Sequence, residues 1–138
     1  MHYHQRARAH RVLFHRGDLL HRILADPPGY PEWNPGLERI EKADDGGFHI
    51  VTKRLLRGRL TIATTSHHVA VTIDLPGLHE ISHWELHDDG ARTHITHALR
   101  WRGALVSVID TDVIRAQPAK RLLRLNTAAE QLRATLAN

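Results

Sequence analysis

The sequence predicts an α+β fold in which an antiparallel sheet is covered on one face by a long C-terminal helix. Through the middle of the chain, apolar and polar residues alternate in segments separated by Gly, Pro and Asp turn signals, which is typical of antiparallel strands. In the last part of the chain, apolar residues instead recur every three to four positions, which is typical of an amphipathic helix. A sheet with one apolar face needs a cover, and this helix supplies it.

The N-terminal part of the chain predicts one strand followed by short helices. The alternation within His2–Phe14 predicts the first strand. Asp18 then occupies a favourable first-turn position, and the leucines and isoleucine that follow it share one helical stripe. Pro27-Pro28-Gly29 ends this helix, and Tyr30–Gly36 is too rich in Pro and Gly for more than a short helical turn and a loop.

The rest of the chain predicts six further strands and the long helix. The strands are Leu37–Lys42, Phe48–Leu55, Leu60–Ser66, Val69–Asp74, His79–His87 and Ala91–Trp101. The break at His67-His68 contains no Gly, Pro, Asn or Asp, so one long bent strand is the alternative there. The apolar segment Ala104–Arg115 is ambiguous. We place Pro118 in the first turn of the C-terminal helix, which runs to about Ala137. Its apolar face is formed by Leu122, Leu125, Ala129, Leu132 and Leu136.

The composition predicts a single folded domain that comprises residues 1–138. Apolar residues make up 41% of the chain and charged residues 25%, which is typical of a folded protein. Cys is absent, which excludes disulfides, thiolate metal sites and a cysteine nucleophile. No apolar run approaches the roughly 18 residues needed to cross a bilayer, and the N-terminus lacks a signal-peptide core. We therefore expect a cytoplasmic protein with no membrane span.

Charge and histidine content do not indicate a nucleic-acid or metal-binding protein. Lys and Arg outnumber Asp and Glu by 19 to 15, but the arginines are spread along the chain and form no basic helix. There are 13 histidines, of which His79, His83 and His87 share one strand face. Residues four apart in a strand are roughly 13 Å apart, too far for one ion, so only adventitious binding by a cross-strand pair such as His83 and His94 is expected. No nucleotide-binding motif or nucleophile elbow is present, and we predict no cofactor.

Three stretches of the sequence resemble the polyketide cyclase/dehydrase branch of the SRPBCC (START-like) superfamily. They are His21–Glu41 (HRILADPPGYPEWNPGLERIE), Trp84–His97 (WELHDDGARTHITH) and Arg121–Arg133 (RLLRLNTAAEQLR), and they follow one another in the family's order. The chain departs from the pattern at His15-Arg16-Gly17, where the family usually has Ala-Pro before its first helix.

The resemblance implies a helix-grip fold, in which a curved antiparallel sheet of about seven strands wraps around the C-terminal helix, with two short helices after the first strand. Family members bind polyketides, sterols, lipids or quinones in an internal cavity. The implied function is binding of a hydrophobic oxygenated small molecule, either as a polyketide cyclase or dehydratase or as a non-catalytic carrier. A protein–protein module with a vestigial cavity is a third reading, and an exposed edge at the first strand allows a homodimer.

Strand alternation predicts which side chains face the interior. Ile95, His97, Leu99 and Trp101 share one face of the last strand, and Ser82, Trp84 and Leu86 share one face of the preceding strand. Thr64 and Ser66 are assigned to a further inward set with Leu60 and Ile62. The candidate ligand-binding residues are Trp33, Thr64, Ser66, Ser82, Trp84, Leu99 and Trp101. The alternatives are hydroxyls bonded to the backbone within a packed core, and a hydrophobic plug formed by Trp33 and Tyr30.

His97 is the candidate catalytic residue because it lies on an otherwise apolar face. Burial lowers the pKa of a histidine and keeps its imidazole neutral. A neutral imidazole can take a proton from a carbon between two carbonyls, which is the step that starts an aldol cyclisation. It can equally form a hydrogen bond with a ligand, or serve the packing of the core alone.

Overall fold

A computed structural model of the chain, which describes residues 4–137, has a curved seven-stranded antiparallel sheet wrapped around one long helix. The strands are β1 (His4–Leu13), β2 (Leu37–Lys42), β3 (Phe48–Thr52), β4 (Arg57–Thr64), β5 (His68–Leu75), β6 (Leu78–Asp89) and β7 (Arg92–Arg102). The helices are α1 (Gly17–Leu24), α2 (Tyr30–Trp33) and α3 (Thr111–Leu136), with short 3-10 turns at Pro27–Gly29 and Ala104–Val108. This arrangement confirms the predicted helix-grip fold.

Hairpins connect the strands from β2 to β7 in sequence order, and β1 pairs with β7, so the order across the sheet is β1-β7-β6-β5-β4-β3-β2. The two-residue turns of the hairpins β5–β6 and β6–β7 contain Gly77 and Gly90, whose φ angles are 79° and 70°. Such turns need positive φ, and glycine adopts it without a steric cost. The turn signals read from the sequence therefore fix the register of the three central strands.

The long helix begins earlier than predicted. Asp110 is its N-cap, and the Asp110 carboxylate accepts a hydrogen bond from the backbone N–H of Asp112 at 2.9 Å. Pro118 therefore lies inside α3 and not in its first turn. Proline lacks a backbone N–H and usually breaks a helix interior, which is why the sequence favoured a start at this residue. In the structure the Pro118 ring is fully buried under the sheet.

The region from β3 to β5 also differs from the prediction. β3 ends at Thr52, and Leu55 lies in the following loop with a φ of 65°. The strand pair β4–β5 is a hairpin and not one bent strand, since the backbone N–H of Thr65 bonds to the carbonyl of His68 at 2.8 Å. The turn contains no Gly, Pro, Asn or Asp, so its sequence is only a weak turn signal.

Apolar side chains fill the space between the concave face of the sheet and α3. The larger cluster includes Leu20 and Leu24 of α1, Leu60 of β4, and Leu122 and Leu125 of α3. A smaller cluster is formed by Leu99, Trp101, Val106 and Ile114. None of the helices within residues 4–137 combines the length and the apolar character that crossing a membrane requires.

Candidate functional site

The candidate site lies on the concave face of β6 and β7, beneath α3. Three rows of directly paired residues form it: Glu80 with Trp101, Ser82 with Leu99, and Trp84 with His97. All six side chains are buried. Because residues two apart in a strand share a face, the alternation read from the sequence places these side chains together and toward the helix.

His97 is fully buried and makes one polar contact. Its Nδ1 atom lies 3.1 Å from the backbone carbonyl of His83. A carbonyl oxygen only accepts hydrogen bonds, so Nδ1 carries the proton and Nε2 presents a lone pair. Nε2 is buried and has no hydrogen-bond partner among residues 4–137. The imidazole therefore offers one unused acceptor to the interior of the protein.

The surroundings of His97 hold its imidazole in the neutral form. Burial lowers the pKa of His97 to about 3, and the nearby Arg121 guanidinium acts in the same direction. The hydrogen bond to the His83 carbonyl and the charge of Glu80 oppose this shift without cancelling it. A pKa this low makes His97 a hydrogen-bond acceptor at neutral pH and a weak base.

A series of aromatic rings connects His97 to the surface. The Trp84 ring is stacked on the His97 ring, with 3.6 Å between centroids, and the Trp33 ring meets Trp84 edge-on at 6.0 Å. Tyr30 contacts Trp33, and its hydroxyl donates a hydrogen bond to the carbonyl of Leu24. Because the Tyr30 side chain is buried, its pKa is raised. The Trp33 Nε1 atom is buried without a hydrogen-bond partner.

Trp33 also lines a cleft between α3 and the segment that contains α1 and α2. The cleft has a volume of about 380 Å³ and is open to solvent. Its other lining residues include Ile23 and Glu32 on one side and Ala128 and Leu132 on the other. Trp33 thus separates the cleft from Trp84 and His97. The packing of Trp33 against Tyr30 is that of the hydrophobic plug considered from the sequence.

A buried ion pair lies next to this aromatic series. The Arg121 guanidinium binds both carboxylate oxygens of Glu80, with distances of 2.6 Å to Oε1 and 3.1 Å to Oε2. Trp101 donates its indole N–H to Oε1 at 2.6 Å. Burial alone would raise the pKa of Glu80, but the charge and hydrogen bonds of Arg121 and the bond from Trp101 hold it below its ordinary value.

The structure places the predicted site residues in two groups. Ser82, Trp84, Leu99 and Trp101 are buried on the concave face with His97. The Ser82 hydroxyl donates to the carbonyl of Val71 at 3.4 Å, which corresponds to the alternative of a hydroxyl bonded to the backbone. That these residues of the concave face contact a ligand stays a prediction.

Thr64 and Ser66 require a correction, because both are exposed and do not line the interior. Thr64 shares a face with Ile62 but is the last residue of β4. Ser66 lies in the turn that follows, where strand alternation no longer determines direction. The expected inward set of β4 therefore ends at Ile62.

Glu80 and Arg121 were missed as site residues. Glu80 is two positions before Ser82, so strand alternation places it on the same inward face as Ser82. Arg121 lies three residues after Pro118 and four before Leu125, which is the spacing of the buried face of α3. The signal in the sequence that could have identified Glu80 and Arg121 is that each is a charged residue at a position where the apolar periodicity of its strand or helix predicts burial.

The histidines of the outer face form pairs. His83 contacts His68, with 2.9 Å between ring nitrogens, and His79 binds Asp74. His94 lies opposite His87 and not opposite His83, which corrects the cross-strand pair proposed from the sequence. No group of three or more His, Asp or Glu side chains in the described part of the chain is arranged to hold a metal ion.

These features define a helix-grip fold whose buried concave face carries both apolar and polar side chains. No family model and no curated protein matches the sequence. Among solved structures, the chain is similar to the Zhui aromatase/cyclase from Streptomyces sp. R1128, with a TM-score of 0.71, 16% identity, and coverage of 93% of this chain and 94% of that one.

Two further structures extend the comparison. A START superfamily protein from Mycobacterium smegmatis has a TM-score of 0.69 and 13% identity, with 96% of this chain and 99% of that one covered. Norcoclaurine synthase from Thalictrum flavum, in complex with dopamine and hydroxybenzaldehyde, has a TM-score of 0.65 and 12% identity, with coverage of 93% and 87%. Similarity at these identities establishes the fold.

Removing Arg121 should destabilise the protein strongly. Arg121→Met leaves the Glu80 carboxylate buried without its cation, and we expect a loss of about 3–5 kcal/mol in the free energy of unfolding, measured with urea at pH 7. The double variant Arg121→Met with Glu80→Gln should recover most of this loss. Arg39→Met removes an exposed pair and should cost less than about 1 kcal/mol. Equal losses at Arg121 and Arg39 would contradict this account.

Protonation of His97 should lower stability as the pH falls. The folded-state pKa of about 3 lies below the ordinary value of 6.5, so the unfolded chain binds the proton more tightly. The contribution of neutral His97 is complete above about pH 6.5 and decreases as the pH falls toward 3. Between pH 7.5 and pH 5, wild type should lose about 2 kcal/mol more than His97→Gln. Parallel pH profiles of the two proteins would show that His97 titrates normally.

Proposed function

We propose that this protein binds a hydrophobic, oxygen-bearing small molecule between the concave face of β5–β7 and α3. The observation that carries the proposal is the unpartnered Nε2 atom of His97. Nearly all buried polar atoms in proteins have a hydrogen-bond partner, and an unpaired one costs about 1–3 kcal/mol. A ligand hydroxyl that donates to Nε2 would remove this cost in an otherwise apolar and aromatic environment.

The Trp33 indole supports the same class of ligand. Its Nε1–H is a buried donor without a partner, whereas His97 Nε2 is a buried acceptor. Both rings contact Trp84, so one ligand beside Trp84 can meet both of them. A molecule with a hydroxyl and a carbonyl or ether oxygen on an apolar body satisfies both atoms. Entry through the cleft lined by Trp33 requires this side chain to turn aside.

The similar structures are consistent with this ligand class. One of them is an aromatase/cyclase, and another holds dopamine and hydroxybenzaldehyde, which are hydroxylated aromatics. Aromatic side chains line the proposed site in this chain, and flat rings stack well on indole and imidazole faces.

Binding without chemistry fits His97 better than proton abstraction does. A general base works best when its pKa lies near the operating pH, and the pKa of His97 is about 3. The interior favours a neutral imidazole, so His97 is suited to holding a hydroxyl. We therefore infer a carrier or binding protein as the main function.

Polyketide cyclisation is the second candidate, and the similarity of the fold to an aromatase/cyclase favours it. If Nε2 took a proton from a carbon between two carbonyls, the ligand would become an enolate and His97 an imidazolium. Holding a reactive chain in one geometry would supply much of the rate enhancement.

A hydroxyl on the ligand should increase affinity through His97. We expect wild type to bind 1-naphthol at least ~10-fold more tightly than naphthalene, because only 1-naphthol donates to Nε2. His97→Leu should bind both with equal affinity, and the exposed Thr64→Val should behave as wild type. Titration followed by indole fluorescence measures the affinity of each of the three proteins for both ligands. Absence of binding in wild type, or a hydroxyl preference that survives in His97→Leu, would overturn the proposal.

Carrier and cyclase predict different fates of the ligand. For a carrier, native mass spectrometry of freshly purified protein should show a bound molecule, and an added poly-β-ketone thioester mimic should be recovered unchanged. For a cyclase, the mimic should be converted to a cyclic product, and His97→Gln should lower turnover at least ~100-fold while affinity changes only a few-fold. Conversion that persists in His97→Gln would exclude His97 from the chemistry.

A further inference from the structure

The outer face of the sheet carries a groove that is lined by arginines. Arg6 of β1 lies directly opposite Arg100 of β7, and Arg8 lies opposite Ala98. These side chains surround an open cavity of about 480 Å³. Ala98 is small and is flanked by long side chains on three sides, so the sheet surface is recessed at this point. The groove is on the opposite face of the sheet from His97, because Ala98 alternates with it along β7.

The three guanidinium groups of Arg6, Arg8 and Arg100 have no anionic partner. None of them forms an ion pair or a side-chain hydrogen bond within residues 4–137. No carboxylate lines the groove. Other arginines in the described sheet, such as Arg59 and Arg92, do pair with a neighbouring aspartate. The positive charge is therefore concentrated and available to a ligand.

This arrangement is unfavourable without a ligand. Like charges directly opposite each other on neighbouring strands are destabilising, and Arg6 faces Arg100 in this way. The fold itself does not require arginine here, since both side chains lie on the outer face. An anion between them would convert the repulsion into attraction, and guanidinium groups bind phosphate oxygens in a bidentate manner.

We propose that this groove binds a phosphate monoester, whose phosphate pairs with Arg6, Arg8 and Arg100 while its apolar part lies on Ala98 and Ile81. Ile81 lies on β6, the strand next to β7, and is paired directly with Arg100. The groove therefore has an apolar floor next to its cationic wall. A dianion matches three guanidinium groups better than a single carboxylate does. The volume is suited to a small molecule, because ligand pockets commonly measure about 300–1,000 Å³.

His83 completes the wall of the groove on β6. The His83 ring stacks on the His68 ring and is hydrogen-bonded to it. These two contacts hold His83 in place beside Ala98. The nearest acid on the same face of β6 is Glu85, two positions along the strand and outside the groove. His83 thus adds a polar ring to the wall of the groove.

Calorimetric titration with phenyl phosphate tests the proposal. Wild type should bind phenyl phosphate saturably and more tightly than inorganic phosphate, because only the ester has an apolar part. Arg100→Gln should weaken binding at least ~10-fold. Arg39→Gln makes the same charge change on β2 at the opposite edge of the sheet and should leave affinity within two-fold. Unchanged thermal unfolding midpoints of both variants without ligand would show that they are folded.

Two further measurements separate this site from the interior one and identify the source of the phosphate. His97→Leu should leave phenyl phosphate binding unchanged, so the two proposals fail independently. The second measurement is sedimentation of the protein with phosphatidylcholine vesicles that contain phosphatidic acid. If wild type sediments with the vesicles and Arg100→Gln does not, the phosphate belongs to a lipid headgroup. If wild type binds phenyl phosphate but does not sediment, the phosphate belongs to a free ester.

Several results would overturn the proposal. The first is that wild type neither binds phenyl phosphate saturably nor sediments with the vesicles. The second is that Arg39→Gln and Arg100→Gln lose binding equally. The third is that an oligonucleotide binds more tightly than phenyl phosphate. The last result would point to a nucleic-acid surface in place of a small-molecule groove.

Discussion

The buried contact between Glu80 and Arg121 joins the centre of the sheet to α3 and determines the charge distribution inside the protein. Both side chains are largely buried, so each charge depends on the other for its stability. The bidentate geometry also fixes the rotation of α3 relative to β6, since Arg121 reaches Glu80 from only one face of the helix. The apolar packing of Leu122 and Leu125 is thereby held in one register.

The same ion pair influences His97. Burial lowers the pKa of His97, Arg121 lowers it further, and Glu80 acts in the opposite direction. A neutral ring with Nδ1 bonded to the backbone leaves its second nitrogen as an acceptor. The interior therefore combines a charged pair that is fully satisfied with two rings, His97 and Trp33, that are not. Binding capacity resides in the rings.

The sequence predicted the fold and the inward faces of β5 to β7, because the period of two in strands and the glycine turns leave little choice of register. It failed where local rules and tertiary context disagree. Ser66 lies in a turn that contains no Gly, Pro, Asn or Asp, and Pro118 lies inside a helix that starts at an aspartate cap. The Glu80–Arg121 pair joins residues 41 positions apart, and no local pattern encodes such a contact.

One strand carries both proposed sites, and this has a physical consequence. Along β7, the side chains of His97 and Leu99 face α3, whereas those of Ala98 and Arg100 face the outside. Only the backbone of β7 separates the two faces, and the hydrogen bonds of β7 to β1 and β6 hold this strand in register. A ligand on either face changes side-chain contacts without requiring the strand to shift. The two sites can therefore be occupied at the same time, and His83 is one link between them, since its carbonyl bonds to His97 while its ring lines the outer groove.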